Sequence, residues 1–232
     1  MTVSFVGSQT AEAETVTIPP HQAGDMILMT GMLHSQYAMP AIPPDWIVLG
    51  NRAFGGTRVV FAAYKKAASS SEVSGTWTGV DLLSAVVYRD DLNYLSCNYA
   101  GQASLANTAR FRISQLVSRS GLSAGPPVQM RQASGVVVGV VIAQQNSPTI
   151  DVDPSGMTRR SVIAGATDGQ LAVFDTSTPV ASWATTNVTT PGNVDTLSMT
   201  LEIIDTAISK AGGGGAENPV VTLLQPSAIP GV

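Results

Sequence analysis

Apolar and polar positions alternate with a period of two along much of this chain, the signature of half-buried strands. Thr15-Val16-Thr17-Ile18 alternates in this way and is stopped by Pro19-Pro20. Gly24-Asp25 opens Met26-Ile27-Leu28-Met29, whose apolar residues fall on both faces, so it predicts a central strand covered on both sides. Residues 58–64 and 85–88 have the same character. Residues 109–113 alternate, with Arg110 and Arg112 on one face and Phe111 and Ile113 on the other. The Val-rich run 135–143 suits a pleated surface, where branched side chains fit well. Asp168-Gly169 is a hairpin signal ahead of Leu171-Ala172-Val173-Phe174. Residues 196–203 give the cleanest alternation; a helix would use Leu197, Leu201, Ile204 and Ile208 as a stripe, but eight residues in period two favour a strand. Residues 219–224 predict the last strand, and residues 92–106 a short helix.

Gly, Pro, Ser, Asn and Asp clusters divide these runs, as at Gly55-Gly56, Ser69-Ser70-Ser71 and Gly125-Pro126-Pro127. Many short strands separated by turn chemistry predict an all-β fold with little helix, an antiparallel β-sandwich of jelly-roll type. No long linker and no repeat of fixed period stands out, so residues 1–232 read as one domain. It would carry an extended N-terminal arm and a Gly/Pro-rich C-terminal tail.

Composition narrows the function. The 232 residues hold 12 Lys and Arg against 16 Asp and Glu, a net charge of -4. Charged residues make up 12%, about half the usual ~25%, while 44% are hydrophobic. Disorder needs the opposite balance. Nucleic-acid binding needs clustered Lys and Arg to neutralise phosphates, and no charge excess supports it. The longest apolar stretch, 135–143, is too short to cross a bilayer. Met1-Thr2-Val3-Ser4-Phe5 has neither the charge nor the apolar run of a secretory signal, so synthesis in a cytosol is expected.

Candidate chemistry is sparse. Cys97 is the only cysteine, which excludes an intrachain disulfide and reads as a buried small hydrophobe. His21 and His34 are the only histidines, and no serine sits in a nucleophile elbow. A glycosidase needs a facing pair of carboxylates, and the spacing of the acids singles out none. No cofactor, no metal requirement and no enzymatic activity are expected. Asp151 and Asp153 lie on one face of an extended segment and offer hard oxygen ligands suited to calcium, although turn residues use the same chemistry. Gly212 to Gly215 lack the Lys and Ser/Thr of a phosphate loop. Asn187-Val188-Thr189 matches a glycosylation acceptor without a secretory context. Trp46 and Trp77, with Trp183, are the candidate platform for stacking a sugar ring, though isolated tryptophans also serve as core plugs.

One succession of short motifs points to a family. Gly24-Asp25 with its apolar run, Pro43-Pro44-Asp45-Trp46, Tyr64-Lys65, Trp77-Thr78-Gly79 and Tyr88-Arg89 resembles consecutive strands in small β-sandwich structural proteins of tailed bacteriophages. Those are tail, fibre or head-appendage and decoration proteins. The likeness is clearest over residues 24–90. It implies no catalytic residue. It implies a virion protein assembled in the host cytoplasm, with other capsid or tail proteins as partners, and not nucleic acid or membrane. A charge-poor surface fits assembly into a homo-oligomer, a trimer being one form, since charged groups are depleted from interface cores. The alternative is a module of the virion that binds host-surface glycan through Trp46 and Trp77.

Overall fold

The runs that are apolar on both faces become the middles of two sheets, because only there is a strand covered from both sides. In the computed structural model the described residues are 3–34, 39–54, 58–89, 95–99, 122–125, 136–143, 150, 153–166, 169–180, 186–189 and 196–205. Strands β1 (Ser4–Ala11), β2 (Met26–Leu33), β3 (Ile47–Phe54), β4 (Arg58–Lys66) and β5 (Leu82–Arg89) form one sheet, in the order β1-β5-β2-β4-β3. Strands β6 (Leu95–Tyr99), β8 (Val136–Ala143), β9 (Thr158–Ala164), β10 (Gln170–Asp175) and β12 (Thr196–Asp205) form a second, in the order β6-β12-β8-β10-β9. Between them in sequence, β7 (Leu122–Gly125) pairs with β11 (Thr186–Thr189). Every pairing is antiparallel.

The chain is all-β, and no helix occurs among the described residues. The two large sheets share one core, built from Met26, Leu28 and Val86 on one side and Val138, Leu171 and Leu201 on the other. Alternation along β2 sends Met26, Leu28 and Met32 into this core and Ile27, Met29 and Leu33 to the opposite face. That outer face is covered in turn by Val16, Ile18, Trp46, Trp77 and Val80 from the connecting segments. All eight residues of β2 are therefore buried, which is why the sequence there shows no polar face. The first five strands stay in one sheet, and the later ones other than β7 and β11 form the second. A jelly roll instead interleaves its two halves between sheets, and this strand order does not.

Strand edges explain most differences from the sequence expectations. Residues 4–11 of the expected extended N-terminal arm are strand β1, and β3 and β9 also lacked a clear pattern. Each of these lies at a sheet edge and each carries a bulge: Val6 in β1, Leu49 in β3 and Arg160 in β9 are the extra residues. One extra residue flips the inside–outside alternation halfway along, so period two is lost. Residues 15–18 do alternate in burial, with Val16 and Ile18 inside, but they lie over the sheet without joining a ladder. The expected helix over 92–106 is contradicted at 95–99, which form β6, while the rest of it lies outside the described residues, as do the strands expected at 109–113 and 219–224. Residues 196–203 are a strand, and Gly169 closes the β9–β10 hairpin as expected.

Gly31 shows how tight the outer layer is. A Cβ there would sit 2.5 Å from the Phe61 ring, which is itself stacked on Trp77 and has nowhere to go. Gly31→Ala is expected to destabilise the protein by about 1–3 kcal/mol, the usual range for overpacking, measured as a lower urea midpoint at unchanged m-value.

Candidate functional site

The two tryptophans proposed as a sugar platform are core residues. Trp77 is fully buried; its ring lies parallel to Phe61 at 5.0 Å and its Nε1–H donates to the Ser74 carbonyl at 3.1 Å. Trp46 meets the Trp77 ring edge-on at 5.3 Å and is 8% exposed, with the Lys65 ammonium 5.0 Å from its centroid. As placed, neither ring offers a face on which a sugar could stack. The reason lies in the turns around them: Pro43 packs over Gly75, where a Cβ would come within 2.6 Å, and this pins both loops onto the sheet. Trp183 lies outside the described residues.

The remaining sequence candidates are scattered. Asp153 pairs with Arg159 at 2.7 Å, while Asp151 lies outside the described residues, and no cluster of metal-ligating side chains occurs among those described. Cys97 stands on edge strand β6, opposite Ile203. His34 follows β2 at the sandwich end, exposed, with Nδ1 3.1 Å from Asp81. His21 is half-buried between two loops: Nδ1 meets the Pro19 carbonyl at 2.6 Å and Nε2 accepts the Glu72 N–H at 3.0 Å. The Lys65 ammonium, bonded to Glu72 at 2.7 Å, holds that carboxyl below the ordinary glutamate range; burial opposes this, and the Ala68 N–H adds to it. That contribution is present above the unfolded glutamate pKa of about 4.3 and is lost as pH falls through the lowered value.

The densest arrangement of polar groups lies where the two sheets meet. Asp175, at the end of β10, is almost fully buried. Its Oδ2 accepts the Tyr88 hydroxyl from the opposite sheet at 2.9 Å and Arg160 Nε from β9 at 2.8 Å. Its Oδ1 accepts the Ser177 N–H at 2.7 Å. Arg160 also lies 4.3 Å over the ring of Phe5 in β1, and its carbonyl accepts the Ser8 hydroxyl at 2.5 Å. Further along the same seam Ser84 meets Ser161 at 2.6 Å, and Glu12 accepts the Ala166 N–H at 2.7 Å. Arg160 is the bulged residue of β9, and its extra peptide unit lets it face this seam. Sequence reading missed the cluster because Tyr88, Arg160 and Asp175 are distant in sequence and carry no spacing motif.

A second buried carboxylate organises the end of the first sheet. Asp25 takes both Arg89 nitrogens, Nε at 2.7 Å and Nη2 at 2.6 Å, and the Gln22 N–H at 2.8 Å. This fork raises the Arg89 guanidinium further above its ordinary value, through the charge-assisted hydrogen bonds to Asp25. Both clusters are saturated by protein partners. Chemically they hold strands and turns in place. Comparison with family models, with curated proteins and with solved structures gives no match.

With Asp175 the clasp between sheets, its truncation strands the half-buried Arg160 guanidinium and the Tyr88 hydroxyl. Asp175→Ala is expected to cost about 3–5 kcal/mol, against about 1 kcal/mol for Tyr88→Phe, which removes one hydrogen bond of three. Urea unfolding of the two variants checks this; equal costs would contradict it.

Proposed function

We propose that this chain is a non-enzymatic structural subunit of a tailed-phage virion, a head-decoration, spike or tail-appendage protein that works through assembly contacts. The observation that carries the reading is where the scarce charges go. Lys65, Arg89, Arg159 and Arg160 are each bonded to a carboxylate of the same chain. Two of those carboxylates, Asp25 and Asp175, are buried. Among the described residues, the exposed positions are largely Ser, Thr, Ala and Gly. Such a surface costs little to desolvate when copies or shell proteins pack against it. The bulges in β1, β3 and β9 support the same reading, because they blunt three sheet edges against indiscriminate strand addition. Assembly would then proceed through side-chain surfaces. The motif succession over residues 24–90 supplies the virion context.

The purified chain is expected to form a homo-oligomer in light scattering. Mass spectrometry of gradient-purified phage particles is expected to recover it in stoichiometric amount. A monomer that is missing from the particles would overturn the proposal.

A further inference from the structure

The two large sheets have the same topology. Reading the strands of the first as 1-5-2-4-3, the second repeats that order with β6, β12, β8, β10 and β9 in the places of β1, β5, β2, β4 and β3. Matching the residues that face the shared core lays Met26–Leu33 of β2 on Val136–Ala143 of β8 without a gap. The pairing registers then fix everything else. Leu28 pairs with Tyr64 and Val138 with Asp175, so Tyr64 falls on Asp175; Tyr64 pairs with Ile47 and Asp175 with Thr158, so Ile47 falls on Thr158.

The irregularities of the two sheets coincide in this register. The bulge residue Leu49 of β3 falls on the bulge residue Arg160 of β9. At the same spacing the turn before each strand matches: Pro43 falls on Pro154, and Asp45, with φ 71, falls on Gly156, with φ 79. Trp46 and Met157 follow, and each packs on the outer face of its own sheet, as do Met39 and Ile150. The connections agree too. In the first half, the segment after the first strand meets the segment before the last, through Trp77 N–H to Glu14 carbonyl at 2.8 Å and Val16 N–H to Ser74 Oγ at 3.1 Å. In the second half, the corresponding connections pair as β7 and β11, also antiparallel. Two sheets of chance resemblance have no reason to share a bulge position, a left-handed turn residue and this cross-connection.

At the two margins the contacts between the sheets are related as in a dimer. Strand β1 lies against β9 at one margin, and β3 lies against β6 at the other. With β6 equivalent to β1 and β9 to β3, these two are the same contact made twice, as across an isologous interface, while the contacts of β5 with β9 and β10 have no counterpart of that extent. We infer that the chain is a tandem duplication of one five-stranded unit, whose two copies bind each other face to face within a single polypeptide. The partner that the core-facing side of the unit recognises is a second copy of itself, and that side is already occupied. Any oligomer of the whole chain must use another surface. The sequence shows no repeat because equivalent positions keep burial and not identity. Phe61 and Ala63 of β4 fall on Ala172 and Phe174 of β10, exchanging large and small residues on the outer face.

Spin-label distances in the full chain test this directly. In a Cys97→Ser background, the exposed positions Pro44, Asn51, Ser155 and Val162 accept labels without touching either core. Two-fold equivalence requires Pro44→Cys/Val162→Cys and Asn51→Cys/Ser155→Cys to give the same mean distance by double electron–electron resonance, with labelled chain diluted in unlabelled chain. The couple Ile47→Cys/Val162→Cys and Asn51→Cys/Thr158→Cys must agree in the same way, and stands in if a turn variant fails to fold. Matching means within each couple are expected. Means that differ by more than the width of the distributions would overturn the duplication.

Discussion

A carboxylate buried between two sheets is tolerable only when its hydrogen-bonding capacity is filled, and Asp175 is filled from three directions at once. Tyr88 comes from the opposite sheet, Arg160 from the neighbouring strand and Ser177 from the following turn. None of these can move without exposing a buried charge. The apolar core around them is larger, but apolar contact is non-directional and would accept many relative placements of the sheets. The polar clasp accepts one. Phe5 under the Arg160 guanidinium and Ser8 on the Arg160 carbonyl extend it to β1, so one bulged residue ties both edge strands together.

Two of the carboxylates are buried, Asp25 with Arg89 and Asp175 with Arg160, where each fixes a turn or a seam. Lys65 and Glu72 do the same for the loop that covers Trp46 and Trp77. Surface charge, which usually keeps a protein soluble and solitary, is correspondingly thin. Internal duplication adds to the picture: the unit solves the burial of its inner face by pairing with its own copy, leaving outer layers and margins for other contacts.

What was legible in the sequence follows from how each strand is covered. Strands β2, β4, β5, β8 and β10 announce themselves because both faces are buried, and β12 because its alternation runs unbroken. Strands β1, β3 and β9 do not, since Val6, Leu49 and Arg160 each reset the alternation. Trp77 is ambiguous by nature: an aromatic between glycines suits an open platform or a plug, and only the placement of Phe61 and Ser74 decides for the plug. Tyr88, Arg160 and Asp175 are individually unremarkable residues whose meaning lies in contacts between distant segments. The duplication is hidden for a related reason, as it survives in registers, bulges and turn angles that one-dimensional comparison of residue types does not see.

The clasp and the shared core join both sheets into a single cooperative unit. Native-state hydrogen exchange across a low-denaturant series measures this most directly. The amides of β5 in one sheet and β10 in the other are expected to converge on one opening free energy with one denaturant dependence. Exchange of either sheet through a separate, lower-energy opening while the other stays protected would contradict the account.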